Sequence, residues 1–476
     1  MMQGNNKVFI SGKFSVIHPG HIRLFRLGKK LARTLHVALD TQGLDQNEIR
    51  WRLNALQSID IVDQVHAYEN NNSALILEIK PDVILKGQEF RDRKNPEKEL
   101  VESLGGKLMF GSGINFFSET EFIDKSNVDD GIDAIQLPFE FMQRNNLSEN
   151  IIKDFLGVAS KLKVCIFGDL IVDEYITCHP LGMSQEEPTI VVTAVDKKKF
   201  LGGAGIVAAH CSALGAQTFL ISVVGNDETA SWAKEKISEY SIRGELITDD
   251  SRPTTLKQRF RSGSQTLFKL SDLSQEVINP NFQDMVYERF CKIVNQVDLV
   301  IFSDFSYGNL PSELVRKIVK LAEENSVLIA ADSQSSSQVG NLSKFSGAFL
   351  VTPTEREARV ELRDQSSGLV ILLDELREYL KARNVLLKLG PDGILIRGLG
   401  LKDELLPTEQ VEPSNTKPVD VSGAGDSVLA TSALALAGGF DIYQSALLGS
   451  FIAGIQVGRL GNVPVNHKEV ERYLSY

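Results

Sequence analysis

Residues 420–427 read DVSGAGDS and are followed at once by the apolar run VLATSALALA, residues 428–437. Glycine tolerates the dihedral angles that let neighbouring backbone N–H groups converge at a helix start and bind an anion. Asp426 could then take the proton of a hydroxyl that attacks a phosphoryl group. A glycine-rich loop whose aspartate only caps the helix explains the same residues. The stretch predicts a helix start and leaves both roles open. The converging N–H groups would be those of Gly423, Ala424 and Gly425.

The size and charge of the chain limit its possible functions. Its 476 residues exceed what one ordinary core holds, so two domains are expected. The fractions of apolar and charged residues, 42% and 24%, are typical of soluble globular proteins. A formal net charge of −11 argues against a general nucleic-acid-binding protein but permits a local basic pocket for an anionic small molecule. We therefore expect small-molecule partners and no nucleic acid.

The cysteines and the apolar segments indicate a cytoplasmic protein. The four cysteines lack CxxC spacing and nearby paired histidines, which favours free thiols over a disulfide or zinc site. The N-terminal residues do not have the pattern of a signal peptide. Residues 428–458 are strongly apolar, but a glycine pair, Asp441 and Gln444 interrupt them. This pattern predicts two buried helices rather than a membrane span.

Alternation of short apolar runs with helical patterns predicts an α/β protein. Residues 1–130 are expected to form a small Rossmann-like domain with a parallel sheet, and residues 131–150 a linker. Residues 151–476 contain many more such runs, which predict a doubly wound sheet with helices on both faces. Residues 189–203 and 254–270 look like extended strands and would form a small β lid over the mouth of that sheet.

Two histidines follow the first predicted strand, in the stretch FISGKFSVIHPGHIRLF at residues 9–25. His18 and His21 lie near a helix N-terminus, where they could donate hydrogen bonds to the charge of a phosphoryl transition state. Histidines three residues apart could also bind a metal or merely cap the helix. The pattern alone leaves these three roles open.

The stretch resembles the GxFDxxHxGH motif of the cytidylyltransferase-like nucleotidyltransferases, and RWRLNALQSIDIVDQV, DVILKGQEF and FFSETEFIDK resemble further motifs in the same order. The resemblance implies that His18 and His21 stabilise the transition state. It also implies phosphate contacts for Lys86, Ser118 and Thr120. Lys13, next to Gly12, would take over a further phosphate contact. Ser15 replaces the motif aspartate and Glu119 a hydroxyl, so loss of transferase activity is an alternative.

DVSGAGDS resembles the DTxGAGD signature of the ribokinase-like carbohydrate kinases, and similarity to these kinases extends over about 310 residues in order. The resemblance implies Asp426 as base and the 423–425 N–H groups as anion hole. KVCIFGDLIVDEY resembles the family's first strand, whose terminal acid, here Asp173, would bind sugar hydroxyls, and FLGGAG would place Gly202 and Gly203 against the sugar. KLGPDG and TPTEREA imply nucleotide binding by Lys388, Gly390 and Gly393, and indirect magnesium placement by Glu357. Ile206, Thr354 and Tyr307 depart from the family pattern, which favours altered sugar specificity over an inactive kinase.

The two-domain combination resembles the bifunctional enzymes of ADP-heptose synthesis, with the order of the domains reversed. This resemblance implies ATP-dependent phosphorylation of a heptose 7-phosphate or related sugar at its anomeric hydroxyl, with Mg²⁺. ATP or CTP would then donate a nucleotidyl group, and a homodimer through the lid is implied. In one alternative only the kinase is active and the first domain binds a nucleotide or dimerises. In a second alternative the whole chain is a non-catalytic sensor or scaffold.

Overall fold

The computed structural model describes residues 7–15, 17, 19–87, 90, 95–111, 135–187, 189–263, 265–334, 340–400 and 402–473. The chain divides into two compact units, each described separately here. Residues 1–119 and 362–375 group in the first unit, and residues 120–361 and 376–476 group in the second. His18, predicted to stabilise the transition state, and Ser118 and Thr120, predicted to bind phosphate, lie outside the described residues.

Within the described residues, the first unit contains a five-stranded sheet of order β3-β2-β1-β4-β5, in which every pair is parallel. The central strand β1 is buried on both faces, because Val8 and Ile10 point to one helical layer and Phe9 to the other. The strands are β1 (Lys7–Gly12), β2 (Thr34–Asp40), β3 (Gln64–Tyr68), β4 (Val83–Gly87) and β5 (Lys107–Gly111). The helices are α1 (Pro19–Leu31), α2 (Gln46–Gln57), α3 (Ser73–Ile79) and α4 (Glu97–Ser103).

Thirteen further strands follow among the described residues. They are β6 (Lys163–Gly168), β7 (Leu170–Met183), β8 (Ile190–Gly203), β9 (Gln217–Val224), β10 (Arg243–Thr248), β11 (Thr255–Ser262), β12 (Gln265–Asp272), β13 (Leu299–Asp304), β14 (Leu328–Ser333), β15 (Leu350–Val351), β16 (Asn384–Lys388), β17 (Ile394–Arg397) and β18 (Glu409–Val411). Nine of them form a sheet of order β10-β9-β6-β13-β14-β15-β16-β17-β18, which is parallel as far as β16.

Eleven more α-helices follow in the described chain, and several of them contribute to the core of the second unit. They are α5 (Phe139–Arg144), α6 (Asn150–Ala159), α7 (Ala204–Ala213), α8 (Glu228–Glu239), α9 (Pro280–Cys291), α10 (Ser312–Glu324), α11 (Glu355–Leu362), α12 (Leu369–Leu380), α13 (Ala424–Ala437), α14 (Ile442–Val457) and α15 (His467–Tyr473). Central strands such as β13 are buried at every position, as expected for a parallel sheet covered on both faces.

The predicted lid is a separate sheet of order β12-β11-β7-β8. It differs from the expectation at β7, because the stretch KVCIFGDLIVDEY is divided between two sheets. β6 ends at Gly168 in the large sheet, and β7 begins at Leu170 and continues as a 14-residue lid strand. Gly168 has φ of +153° and a side chain there would collide with the Ser303 carbonyl, so the glycine permits this change of sheet. Asp173 therefore belongs to the lid rather than to the end of a core strand.

The apolar segment 428–458 forms two helices, α13 and α14, as the sequence predicts. Gly438 and Gly439 separate them, and Asp441 caps α14 in a capping box with Gln444. Both helices are buried almost throughout, which explains why they lack a polar face. Among the described residues, no helix combines the length and apolar character needed to cross a membrane.

The described part of the expected linker is packed rather than extended. Within residues 135–150, Phe141 and Met142 of α5 are buried in the same core as α13 and α14. Phe141 contacts the ring of Tyr443 edge-on, and the Gln136 N–H donates to the Ser414 carbonyl at 2.8 Å. These residues belong structurally to the second unit, while the domain boundaries themselves stay a prediction.

Candidate active site

Polar side chains gather where the parallel strands of the large sheet end. Asp304 ends β13, Asp332 and Ser333 end β14, and Lys388 ends β16. The register pairs Asp304 with Ser333, so these residues lie at one edge of the sheet. The carboxyl edge of an open α/β sheet is where ligands bind.

The 420–427 loop places the first turn of α13 at the candidate site of the second unit. Gly423 adopts the left-handed conformation, φ +79°, and a side chain there would lie 2.3 Å from the Asn462 Oδ1. Only glycine fits this turn without strain. Ala424 and Gly425 then begin the helix, so their N–H groups belong to its first turn, which has no intrahelical acceptors. The Ala424 N–H donates to the Val421 carbonyl at 3.3 Å, and the predicted anion hole at residues 423–425 stays a prediction.

Asp426 is 6% exposed and lies in the first turn of α13. Gln334 Nε2 donates to its Oδ1 at 3.1 Å. Burial raises the pKa of Asp426 to about 7, and the neighbouring carboxylate of Asp332 adds to the increase, whereas Lys388 opposes it. A carboxylate with a pKa near neutrality is well matched to accept a proton from a hydroxyl. The geometry thus gives Asp426 the properties of a general base.

Lys388 and Asp332 form a buried ion pair beside this base. The Lys388 Nζ lies 2.8 Å from Asp332 Oδ2, and both side chains are largely shielded from water. Burial raises the pKa of Asp332 to about 6 and Glu357 contributes, although Lys388 opposes the shift. For Lys388, burial lowers the pKa, but Asp332 and Glu357 outweigh it and the pKa is raised overall. A Cβ on Gly425 would lie 3.1 Å from the Lys388 Nζ, so the ammonium reaches the helix start.

Glu357 and Thr354 form a capping box at the start of α11. The Thr354 N–H donates to Glu357 Oε2 at 2.7 Å, and the Glu357 N–H donates to Thr354 Oγ1 at 3.3 Å. Thr354 departs from the family pattern, yet its hydroxyl caps the helix as an asparagine would. Glu357 is 8% exposed and acts electrostatically on Asp332 and Lys388. It is therefore held in place near the ion pair.

Gly390 and Gly393 shape the turn between β16 and β17. Both have positive φ, +62° and +84°, and a side chain at Gly393 would lie 2.1 Å from the Val411 carbonyl oxygen. The turn follows Lys388 directly and contains a short 3₁₀ helix, Gly390–Asp392. The two glycines thus set the path of the backbone next to Lys388, and their predicted nucleotide contact stays a prediction.

Asp173 faces the candidate site from the lid. It is 5% exposed, and Asn462 Nδ2 donates to its Oδ2 at 3.2 Å. Burial raises its pKa, although the positive charges of Arg259 and Lys257 counteract the effect. A Cβ on Gly202 would lie 2.5 Å from the Asp173 Oδ2, so this glycine makes room for the carboxylate. Gly203, at φ +53°, ends β8 and precedes α7.

Three cations of β11 were missed in the sequence analysis. Lys257, Arg259 and Arg261 alternate along the strand and therefore project from one face of the lid. Arg259 Nη2 lies 3.7 Å from Asp173 Oδ1, and the Lys257 ammonium lies over the rings of Phe305 and Tyr307. The pattern KxRxR, within a predicted strand, could have revealed these three cations from the sequence. It marks a basic surface on the sugar side of the candidate site.

Asp169 is a second missed residue. It is fully buried and accepts hydrogen bonds from the N–H groups of Phe305 and Tyr307, at 2.8 and 3.3 Å, and from the Asn309 side chain at 3.0 Å. Burial and the charge of Asp304 raise its pKa. Asp169 holds the loop after β13 against the lid, and its role is structural.

Two departures from the family pattern occupy different environments. Ile206 lies in the hydrophobic core with no exposed surface, so it does not offer a group to a sugar. Tyr307 is 1% exposed, and its ring contacts the Lys257 ammonium in the basic region of the lid. The sugar side of the site therefore differs from the family pattern most directly near Tyr307.

The first unit contains the second candidate site. His21, in the first turn of α1, packs with the rings of Phe14 and Phe25, whose centroids lie 5.1 and 6.3 Å away. Lys13 lies in the preceding loop, and its carbonyl accepts a hydrogen bond from Arg52 Nη1 at 3.0 Å. The loop is thus fixed to α2 through Arg52, which lies in the stretch RWRLNALQSIDIVDQV and is the likely match to the arginine of the nucleotidyltransferase motif.

Lys86, the predicted phosphate contact of this site, forms an ion pair. Its Nζ lies 2.9 Å from the Glu97 carboxylate and 3.1 Å from Asn95 Oδ1. Burial would raise the pKa of Glu97, but hydrogen bonds from Lys86 and Asn72 outweigh it and lower the pKa. The charge of Lys86 is therefore neutralised by Glu97 in this structure.

Two solved structures share the fold of the second unit. Phosphofructokinase-2 from Escherichia coli aligns with a TM-score of 0.55 at 16% identity, covering 66% of this chain and 99% of that chain. Ribokinase from Arabidopsis thaliana, solved with ribose and ATP, aligns with a TM-score of 0.52 at 16% identity and the same coverage. At this identity the likeness shows the fold alone, which is the ribokinase-like α/β fold predicted for this region.

Curated relatives include two bacterial proteins named bifunctional protein HldE. The protein from Helicobacter hepaticus is 31% identical over 325 residues, 67% of this chain and 65% of the relative. The protein from Sulfurimonas denitrificans is 30% identical over 320 residues, 65% of this chain and 64% of the relative. The chain thus spans slightly less than two thirds of the length of these relatives. Residues 161–468 match the pfkB family of carbohydrate kinases, and the chain belongs to that family.

Proposed function

We propose that the chain makes a nucleotide-activated sugar in two steps. In the first step ATP phosphorylates a sugar phosphate, such as a heptose 7-phosphate, at its anomeric hydroxyl. In the second step AMP or CMP is transferred to the resulting sugar 1-phosphate. The observation that carries the first step is Asp426, a buried carboxylate with a pKa of about 7 in the first turn of α13.

The kinase step follows from the groups around Asp426. The anomeric oxygen attacks the γ-phosphorus of ATP, its proton passes to the Asp426 carboxylate, and the bond from phosphorus to the ADP oxygen breaks. N–H groups at the start of α13 stabilise the negative charge of the transferring group. Lys388, near Gly425, adds a positive charge that Asp332 holds in place.

Kinases of the pfkB family use ATP and Mg²⁺, and the residues at the sheet edge fit this ion. Asp332 Oδ1 is buried and has no hydrogen-bond partner among the described residues, and Glu357 lies close enough to influence its pKa. Carboxylate oxygens are the ligands that Mg²⁺ prefers, usually one or two of them together with substrate phosphates. Consistently, no group of three or more metal-binding side chains occurs in the described chain. When bound, Mg²⁺ would neutralise phosphate charge.

A phosphorylated sugar fits the lid better than a neutral sugar does. Asp173 offers a carboxylate to sugar hydroxyls, while Lys257, Arg259 and Arg261 lie on the same strand face. A row of cations is the expected recognition surface for a phosphate group. These contacts support a substrate that carries a phosphate away from the reacting hydroxyl.

The nucleotidyl-transfer step rests on the first unit. His21 lies in the first turn of α1, which follows a strand of a parallel sheet, the position where an imidazole can assist phosphoryl chemistry at a helix N-terminus. The donor would be ATP or CTP, and the sugar 1-phosphate oxygen would displace pyrophosphate. The HldE proteins are named bifunctional, which supports a second activity.

A homodimer through the lid is part of the proposal. Several large apolar side chains of the lid are exposed: Leu181, Met183, Ile190, Val191 and Phe268. Exposed apolar surface of this kind marks a protein interface. Sedimentation of the full chain should therefore give twice the monomer mass.

The test is incubation of the full chain with ATP, CTP, Mg²⁺ and candidate heptose phosphates, followed by mass spectrometry of the products. Asp426→Asn should stop formation of the sugar bisphosphate, while His18→Ala and His21→Ala should stop only the nucleotide-sugar. Absence of both products with every sugar phosphate tried would refute the proposal for those substrates.

In a second candidate function, only the kinase is active and the first unit transfers no nucleotidyl group. It is favoured by the Lys86–Glu97 ion pair, which neutralises a predicted phosphate contact, and by Ser15 at the position of the motif aspartate. The first unit would then bind a nucleotide or join subunits. Kinase turnover without pyrophosphate release from any of the four nucleoside triphosphates would decide for this alternative.

A further inference from the structure

A cavity of about 470 Å³ lies at the edge of the large sheet opposite the candidate active site. Its wall includes Leu328, the first residue of β14, and Arg383, which directly precedes β16. Lys388 lies at the other end of β16, so the length of that strand, roughly 15 Å, separates the cavity from the candidate site. The cavity therefore belongs to neither of the sites described above.

Two cations of this cavity retain capacity to bind an anion. Arg377 donates from Nη1 to the Ala382 carbonyl at 3.4 Å, but its Nε is buried and has no hydrogen-bond partner among the described residues. Lys381 is exposed at the rim. Arg383 is already engaged, because it pairs with Asp403 and lies over a phenylalanine ring. A buried N–H without an acceptor is costly, and an anionic ligand would supply the acceptor.

The rest of the lining limits the class of ligand. Glu323 and Glu378 stand at the rim as hydrogen-bond acceptors, which suit hydroxyl groups of a ligand and repel a bare polyanion. Val327, Ile329 and Phe349 form an apolar wall. A volume of this size is within the usual range for small-molecule sites.

We infer that this cavity is a second ligand site, for a small phosphate ester that carries hydroxyl groups. Arg377 and Lys381 bind the phosphate, the two glutamates accept from hydroxyls, and the apolar wall contacts the carbon skeleton. Both a sugar phosphate and a mononucleotide have this chemistry. The inference does not depend on the proposed reaction, since its residues lie at the other edge of the sheet.

The test places a reporter at the rim. Ser346→Cys, at an exposed residue that precedes Gly347 of the cavity wall and makes no contact in the inferred site, is made in the full chain. Alkylation of that cysteine by iodoacetamide is followed by peptide mass spectrometry, which separates it from the exposed Cys291. The probes are AMP, glucose 1-phosphate and inorganic phosphate, with adenosine and glucose as uncharged controls. A bound ester at ten times its dissociation constant should slow alkylation about tenfold.

The role of Arg377 is then tested in the chain that carries the reporter cysteine. Arg377→Gln should abolish the protection, whereas the matched change Arg316→Gln, at an exposed position of α10, should leave it intact. If Arg377→Gln lowers the melting temperature, Lys381→Gln replaces it, because that side chain is exposed. Lack of protection by either ester, protection that survives loss of the cation, or equal protection by inorganic phosphate would overturn the inferred ligand class.

Discussion

The two candidate sites each include a residue in the first turn of a helix, His21 of α1 and Asp426 of α13, yet they hold their charges differently. In the second unit, burial and Asp332 raise the pKa of Asp426 to about 7, although Lys388 opposes the shift. In the first unit, Lys86 is paired directly with Glu97. In the second unit, the raised pKa suits Asp426 to accept and release a proton near neutral pH. In the first unit, Glu97 neutralises Lys86, which is predicted to bind phosphate. The difference lies in the charges: the carboxyl of Asp426 has a raised pKa, whereas the ammonium of Lys86 has an ion-pair partner.

The largest expected effect is that of Asp426→Asn, which tests whether the Asp426 carboxylate acts as a base. Removing a general base should lower kcat/KM of the kinase step by about 10²- to 10⁴-fold. Nucleotidyl transfer from supplied sugar 1-phosphate should be unchanged. The matched control is Asp250→Asn, at an exposed position of the same unit. An Asp426→Asn enzyme within tenfold of the natural chain would show that Asp426 only caps the helix.

The buried ion pair gives the next largest effect, which is on stability. Lys388→Met leaves Asp332 buried without its cation and should cost about 3–5 kcal/mol in urea denaturation. The double variant Lys388→Met with Asp332→Leu should recover most of that stability but no kinase activity. If the double variant is as unstable as the single one, the pair does not account for the loss.

The pH dependence of activity and stability tests the raised pKa of Asp426. Because the kinase base must be deprotonated, its kcat/KM should fall about tenfold per pH unit below pH 7 and level off above it. The folded pKa of Asp426 exceeds its unfolded value of 3.8, so its stabilising contribution is complete below about pH 4 and is lost as the pH rises through about 7. Asp426→Asn should therefore melt higher than the natural chain at pH 8, and an unchanged melting temperature would contradict the assigned pKa.

The smallest expected effect concerns the neutralised lysine. Glu97→Gln should release Lys86 and strengthen binding of ATP or CTP to the first unit by up to about tenfold, or ~1.4 kcal/mol, in calorimetric titration. Glu99→Gln, an exposed change on the same helix, is the control. Weaker binding in Glu97→Gln would show that the glutamate positions Lys86 rather than competing with the phosphate.

The sequence predicted the elements that depend on local pattern. Gly423 and the apolar run after Asp426 predicted the start of α13, because a left-handed turn and a buried helix each have a local signature. The glycine pair and Asp441 likewise predicted that residues 428–458 form two helices. Kinase family membership followed from the same motifs and is confirmed by the match over residues 161–468.

Other features depend on which residues meet in space. The sequence placed Asp173 at the end of a core strand, but Gly168 lets the chain leave the large sheet and carries Asp173 onto the lid. Ile206 was singled out as a departure from the family pattern on the sugar side, and the packing of α7 buries it in the hydrophobic core. No local pattern encodes these outcomes, since both result from how separate elements pack.

By itself, the sequence determined the ribokinase-like fold of the second unit and the identity of Asp426 as its candidate base, because turn chemistry, apolar period and motif order are properties of contiguous residues. Only the tertiary structure decided the charge state of the sites. The pKa of Asp426 depends on burial and on Asp332, and the neutralisation of Lys86 depends on Glu97. Electrostatic interactions are set by distance and solvent exposure, which folding alone fixes.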